Sequence, residues 1–567
     1  MRGQQLAPVV SFCARSDVYI QPSALSVGPW APCIPTPLRR TFGAKSGCSP
    51  VRPQVDLTEY INMFKVSRLL IIYAIAIPLA CFVGLLAVAP GQLAVQIVGL
   101  LLFFLALPVI LKWHHSLMIV LWNSVFIAVF LPGGPAVWIP LAALSFGISM
   151  LNHIMFQKRF LRAPELTRPL LCLVAVVLVT AELRGGIGIR ALGGGAYGGK
   201  KYAVVLMAVA GYFALTSERI SIDKGRKMVG WFFASGISHA LINVAFMLGP
   251  LFYFVYFLVP SGEAASQARA EYSGDQLIRI SSLAPASVSA CTWLLSQYGI
   301  RGLLDSSKPW RFILFAVAMA LGFLAGFRGM LLLLAIVCAI QFYLEGLIQT
   351  KYLPILAGLA MFCFIPMVLF AKHMPGSVQR VISFLPVNVN SEILQDAENS
   401  TEWRLDMWKD AGRDVPKYLV LGKGYALDPA LLAYVTLANI NGVTVDSYEG
   451  SLVASDFHNG LLSILIPFGL PGLFVFLWIL HAGYRVLSWN YRYGDARLRG
   501  VNRTLLAYYL SFCIAFFVIF GAFADQLYVF LGILGLSVSI NAGVKRKVAA
   551  PKPAPVAEPD NLVMEPG

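Results

Sequence analysis

The chain has 567 residues, 58% of them hydrophobic and 13% charged, with a mean hydropathy of +0.72. A soluble domain carries about 25% charged residues, so a water-soluble globular protein is excluded and an integral membrane protein is expected. The net charge of +16 does not point to nucleic acid, because the basic residues sit in short clusters between apolar runs, as membrane topology requires.

In chain order, the first 62 residues lack apolar periodicity, are rich in Pro, Ser and Arg, and hold no apolar core of signal-peptide length. They read as a disordered cytoplasmic tail over residues 1–67, or as a misassigned start with Met63 as the initiator. Apolar spans long enough to cross the hydrocarbon follow at 69–88, 93–111, 115–131, 136–156, 169–183 and 202–216. The run 228–258 is long enough for a strongly tilted helix, or for a helix with a re-entrant piece. Further spans fall at 283–300, 309–327, 329–347 and 353–371, completing an N-terminal bundle over 68–371. After the polar interval 372–457 come spans at 459–480, 504–523 and 525–542, a C-terminal group over 458–543. The tail 544–567, with its KPAPVAEPD stretch, reads as unstructured and cytoplasmic. The expectation is an all-α polytopic membrane helix bundle of about 12–14 transmembrane helices. The nine cysteines lie mostly inside spans and none falls in 372–457, so a disulfide-stapled external domain is not expected.

Basic clusters at Lys158/Arg159/Arg162/Arg168, Arg219/Lys224/Arg226/Lys227, Arg301/Lys308/Arg311 and Arg485/Arg492/Arg497/Arg499/Arg503, with Lys545–Lys547, are separated by even numbers of spans. Placing them inside puts both termini in the cytoplasm and sends 372–457, Arg328 and His458 to the outer face together. The glycine-rich stretch 184–201 fits no phosphate-binding pattern and reads as a flexible outer connection.

The interval 372–457 is the only long hydrophilic stretch between spans, and it keeps Trp, Tyr, Leu and Val throughout, so a folded, working loop is the better reading than disorder. Arg328 is the only charge between Arg311 and Glu345. At the bilayer centre it would cost about 2.5–3.5 kcal/mol, so it belongs at the outer face, in a turn assisted by Gly326 or Gly329. It is either a snorkelling anchor or, with little room to snorkel beside glycine, a binder of an anionic partner. Within the loop, Arg404, Trp408 and Ala411 share one helical face; Thr401 is a candidate cap and Pro416 should lie beyond the helix end. Trp408 reads as the apolar anchor seating this helix, Arg404 as a surface charge or a site residue, and Gly422-Lys423-Gly424 as a tight turn. His458 is either a hydrogen-bonded helix-start histidine, with Asp456 and Asn459 as partners, or a proton-transfer group placed where a lipid-borne substrate meets water. Gly469, Pro471 and Gly472 break the following span and predict a half-helix over 460–467 beside an outer-leaflet cavity.

His458-Asn459, nine residues, then Gly469-Leu470-Pro471-Gly472 resembles the signature of the O-antigen ligase and polymerase superfamily. The block Arg404, Trp408, Ala411, Pro416, Gly422, Gly424 resembles that family's large periplasmic loop. Arg328 resembles its first essential arginine, although Phe327 stands where Ser or Thr is more usual. The resemblance covers roughly 310–540. It implies a GT-C-like glycosyltransferase of the bacterial inner membrane that takes a glycan from undecaprenyl diphosphate and joins it to an acceptor hydroxyl on the periplasmic side. The acceptor is lipid- or glycan-linked: lipopolysaccharide for a ligase, another lipid-linked glycan for an exopolysaccharide or O-antigen polymerase, or a protein for an O-oligosaccharyltransferase.

On that reading Arg328 and Arg404 hold the diphosphate, because guanidinium is a planar, permanently charged phosphate donor. His458 takes or orients the acceptor proton, and the anomeric centre inverts. Asn459, Trp408, Gly422, Gly424, Gly469 and Gly472 support the site. No DxD motif is present, so no metal and no cofactor are expected. The loop acids Glu392, Asp396, Glu398, Glu402, Asp406 and Asp410 read as a solvated face, although one of them could be the base. A transporter is the reading from another class; the halves show no internal repeat and the site charges gather on one face rather than at the midplane.

Overall fold

The computed structural model describes residues 92–131, 133–186, 199–262, 264–265, 279–426 and 456–546, together with residues 73, 77 and 80. Both tails, most of the first span, the middle of the glycine-rich stretch and residues 427–455 of the polar loop lie outside the described residues.

The described chain is an all-α polytopic membrane bundle, the architecture in which each segment satisfies its own backbone polar groups in lipid. Its helices are α1 Gln92–Leu121, α2 Trp138–Phe156, α3 Pro164–Arg184, α4 Gly199–Leu215, α5 Ile222–Ala234 and α6 Ala240–Met247. There follow α7 Leu283–Leu303, α8 Trp310–Leu324, α9 Arg328–Leu344 and α10 Tyr352–Leu369. The polar loop contributes α11 Gly376–Ile382 and α12 Ser391–Tyr418, and the chain closes with α13 Leu462–Tyr493, α14 Arg499–Val518 and α15 Phe523–Ile540. Among the described residues 8 helices are long and apolar enough to cross a membrane; α8 and α9 are shorter apolar helices.

One expected span is not a helix. The runs 93–111 and 115–131 form the single helix α1, broken at Trp113 (φ −118°), which stops at Leu121. Beyond it, tertiary hydrogen bonds win over helix continuation. The Trp122 indole donates to the Tyr528 carbonyl (3.1 Å), Asn123 Nδ2 to the Phe232 carbonyl (2.8 Å), and the Val125 amide to Ser238 Oγ (3.0 Å). The long run 228–258 takes the helix-plus-irregular form, with 3₁₀ turns at Ser235–His239 and Pro250–Phe257 flanking α6.

The core lies under the C-terminal helices. α15 packs on α4, α13 on α3, and α14 on α9 and α7. Tyr509, Phe516, Phe523 and Phe530 are fully enclosed there. α10, by contrast, has no buried residue. Two breaks in this frame prepare the site. Gly326 takes φ +76°, turning α8 into α9 so that Arg328 opens the new helix. Gly469 takes φ +62° inside α13, isolating a short half-helix over 462–468 from the full crossing that follows, close to the expected 460–467.

Candidate active site

The half-helix is built by local chemistry. Asn459 Oδ1 accepts from the amides of Leu461 (2.9 Å) and Leu462 (3.1 Å), occupying two of the free donors at its start. At its other end the chain kink frees carbonyls, and the loop turn supplies their partners. The Lys423 amide donates to the Ile466 carbonyl (2.7 Å) and the Gly424 amide to the Pro467 carbonyl (2.9 Å), while the Leu470 amide returns a bond to the Leu419 carbonyl (2.7 Å). Such close backbone contact needs glycine. A Cβ on Gly422 would lie 2.1 Å from the Pro467 carbonyl oxygen, and one on Gly469 2.7 Å from that of Leu419. Gly472 lets Phe468 fold back over it, since a Cβ there would lie 2.3 Å from the Phe468 Cβ. The spaced glycines of the sequence are therefore two halves of one joint between the polar loop and the broken helix.

α12 lies across that joint. Its Trp408 indole donates to the Phe457 carbonyl (2.8 Å), and Trp408, Ala411, Val415 and Tyr418 pack on Phe457, Leu462 and Ile466. Trp408 is thus the anchor that the sequence suggested. Two details differ from expectation. α12 begins at Ser391 and Thr401 lies inside it, its hydroxyl donating to the Ala397 carbonyl (3.1 Å), so Thr401 is not a cap. Pro416 sits inside the last turn rather than beyond it. Packing of Val415 and Tyr418 on the half-helix carries α12 past the proline, offsetting the backbone hydrogen bond that proline cannot donate.

Beneath α12 is a cavity of about 1110 Å³ that gathers Arg328, Arg404, Trp408 and His458 into one lining, although they come from three separate segments. Leu331, Leu332, Phe364 and Met367 form an apolar wall on its α9–α10 side. The same cavity holds two arginines that sequence reasoning missed, Arg279 and Arg380. The one signal for Arg380 was a buried-looking charge within the apolar stretch 374–387. Arg279, which precedes α7, carried no pattern at all. Arg328 Nε donates to the Arg380 carbonyl (3.1 Å). Arg404 Nε is buried and has no hydrogen-bond partner among the described residues. Burial, and then the neighbouring Arg279 and Arg328, lower the Arg404 pKa; burial, and then Arg279, Arg328 and Arg404, lower that of Arg380. Among the described residues the site is short of negative charge while its guanidinium groups stay protonated.

His458 is held in the left-handed region (φ +51°), unusual for a residue with a side chain. Its ring packs edge-on to Trp403 (5.5 Å) and against Phe520 (4.7 Å). Nδ1 lies 3.0 Å from Asp456 Oδ1. Burial alone would raise the Asp456 pKa, but its hydrogen bond and charge interaction with His458, together with Lys201, hold it below the ordinary value. An ionised Asp456 accepts only, so Nδ1 is the donor of this pair, and in the neutral imidazole the lone pair is then on Nε2. Among the described residues Nε2 has no hydrogen-bond partner.

Of the loop acids, Asp396 is not on a solvated face: it pairs with Arg279 and Arg380. Asp410 does pair outward, with Arg413 (2.9 Å), and Asp414, which was not among those acids, pairs with Lys417 (2.8 Å). No grouping of three or more His, Cys, Asp or Glu that could hold a metal ion occurs among the described residues.

Residues 311–477 match the family described as O-antigen ligase. The matched stretch is under a third of the chain and contains Arg328, Arg380, Arg404, His458, Gly469 and Gly472, whereas Arg279 lies before it. The chain thus carries an O-antigen ligase domain over that stretch. A comparison with curated proteins returned no match.

Proposed function

We propose that this chain, a multi-pass membrane protein with an O-antigen ligase domain, transfers a glycan from undecaprenyl diphosphate to an acceptor hydroxyl at the periplasmic face of the bacterial inner membrane. The observation that carries the reading is the convergence of Arg328, Arg404 and His458 on one cavity with an apolar wall. A polyprenyl diphosphate glycan needs that combination: apolar surface for its lipid, cations for its diphosphate and a base beside its anomeric carbon.

In the proposed reaction the acceptor oxygen attacks the anomeric carbon from the face opposite the diphosphate. The new glycosidic C–O bond forms as the bond to the diphosphate oxygen breaks, which inverts the centre. His458 Nε2 receives the acceptor proton, and Asp456 holds the imidazolium that results. The leaving diphosphate gathers negative charge, which Arg328 and Arg404 neutralise from fixed positions. Guanidinium groups fill the place a divalent cation takes in other transferases, so the reaction is read as metal-independent. Ligase, polymerase and protein-directed transferase would all use this chemistry.

The test is reconstitution of the purified protein with an undecaprenyl-diphosphate-linked glycan and candidate acceptors. Release of undecaprenyl diphosphate together with an acceptor enlarged by the glycan is expected. Failure with lipopolysaccharide core, lipid-linked glycan and glycosylatable protein alike would remove the proposal.

A further inference from the structure

Arg279 and Arg380 share the cavity with Arg328 and Arg404, so four guanidinium groups face one volume. Among the described residues one carboxylate answers them. Asp396 on α12 accepts from Arg279 Nη2 at 3.1 and 3.2 Å through its two oxygens and pairs with Arg380 as well. Among the described residues Arg328 and Arg404 have no carboxylate partner. Taking these four arginines and Asp396 together, the cluster keeps an excess of positive charge.

From this arrangement we infer that Arg279 and Arg380 are anion-binding residues of the site, held by Asp396 until the donor's diphosphate displaces it. The inference rests on the reading of the cavity as a diphosphate site. Asp396 then stands in for a phosphate: an acceptor-only group lying between two guanidinium groups, each of which can also donate to phosphate oxygens. A polyprenyl diphosphate glycan brings about two negative charges, more than the one it would displace.

The rival account makes the Arg279–Asp396–Arg380 triad a staple joining the loop helices to the segment before α7. Exposure favours exchange over a fixed staple: Arg279 and Asp396 are 38% and 31% exposed and stay hydrated when the pair opens, while Arg380, 6% exposed, requires another anion in the carboxylate's place, which a diphosphate supplies. Position argues the same way. The Arg279 Cγ lies 3.6 Å from where a Cβ on Gly326 would be, at the turn that delivers Arg328. The Arg380 carbonyl receives Arg328 Nε, so each added arginine is placed against one already assigned to the site.

The two accounts give opposite signs for one variant. Inorganic pyrophosphate is titrated calorimetrically into the purified full-length protein in detergent. Arg279→Ala and Arg380→Ala should weaken binding about tenfold, and Asp396→Asn should tighten it about fivefold by removing the competing carboxylate. Thermal unfolding of each variant is followed in parallel, and Arg279→Ala carries the test should Arg380→Ala not fold. A staple predicts that Asp396→Asn unfolds earlier and binds no tighter, which would overturn the inference. Arg328→Ala and Arg404→Ala are titrated alongside. Weakening there, with no change at Arg279, confines the failure to this inference; no change at any of the four removes the diphosphate site itself.

Discussion

His458 Nδ1 lies 3.0 Å from the carboxylate of Asp456, two residues earlier in the same segment. Side chains two apart on an extended chain share a face, with Cα atoms about 6–7 Å apart. Here the chain turns, His458 taking φ +51°, and the Asp456 carboxylate also accepts from the His458 amide (3.4 Å). A left-handed backbone at a non-glycine costs about 1–3 kcal/mol and persists only where its surroundings hold it. Here the Asn459 cap, Trp403 and Phe520 do so.

Replacing that carboxylate by an amide should therefore disable the imidazole without disturbing anion binding. Asp456→Asn is expected to lower transfer at least about tenfold while pyrophosphate affinity stays within twofold. The pH dependence has a definite sign. Asp456 is held below the ordinary aspartate value of 3.8, so its contribution to stability is fully present above that pH. It is lost only as the pH falls through the lower folded value. The unfolding temperatures of wild type and Asp456→Asn should differ by a constant amount at neutral pH and converge only in acid below 3.8. Convergence near neutrality would contradict this account.

Arg328→Ala and Arg404→Ala should each reduce transfer by more than about tenfold, equivalent to about 1.4 kcal/mol of barrier. Arg404→Lys should recover only part of the loss, since an ammonium keeps the charge without the bidentate fork. Initial rates with a synthetic polyprenyl diphosphate glycan measure both. Full activity in Arg404→Lys would show that geometry is irrelevant there.

With guanidinium groups answering the diphosphate, turnover is expected to be unchanged by EDTA and by added Mg²⁺ or Mn²⁺. The measurement is the transfer rate after chelation and gel filtration. Strict dependence on a divalent ion would replace the mechanism proposed above.

Gly422→Ala should detach the loop turn from the half-helix. Its Cβ would lie 2.1 Å from a backbone carbonyl that cannot retreat, at a residue with φ +73°. A loss of about 2–4 kcal/mol in stability is expected, together with loss of transfer. Gly412→Ala, inside α12 where nothing lies within 4 Å of the added carbon, serves as the control and should hold or raise stability, by up to about 1 kcal/mol. Thermal unfolding in detergent compares the two.

Ser400, on the cavity side of α12, reports which side the site faces. A cysteine placed there should react with an impermeant thiol reagent in intact cells whose outer membrane is permeabilised. Labelling that appears only after the inner membrane is broken would reverse the topology inferred from the basic clusters.

Much of the site was legible along the chain because its parts sit at chain punctuation. Arg328 follows a Gly-assisted turn between two apolar runs, and His458 opens a span after a polar interval. The glycines at 422, 424, 469 and 472 stand out where helices must break. α12 was legible as a helix but not in its limits, since packing on Phe457, Leu462 and Ile466 carried it through Pro416. The span expected at 115–131 failed for a related reason: hydropathy records that a segment is apolar, not that its indole and amide groups are bonded elsewhere.

By itself the sequence determined the solvent and the element type, because hydrocarbon admits only segments that satisfy their own backbone, and it marked the residues where regular helix must stop. The tertiary structure alone decided the charge balance of the site. Arg279 and Asp396 are 117 residues apart, and Arg328 meets the Arg380 carbonyl across 52. Contacts at such separations leave no periodicity or spacing, since the intervening helices can pack in many registers before side-chain fit selects one. Asp396 therefore read as one of several solvated acids until folding brought it against two guanidinium groups.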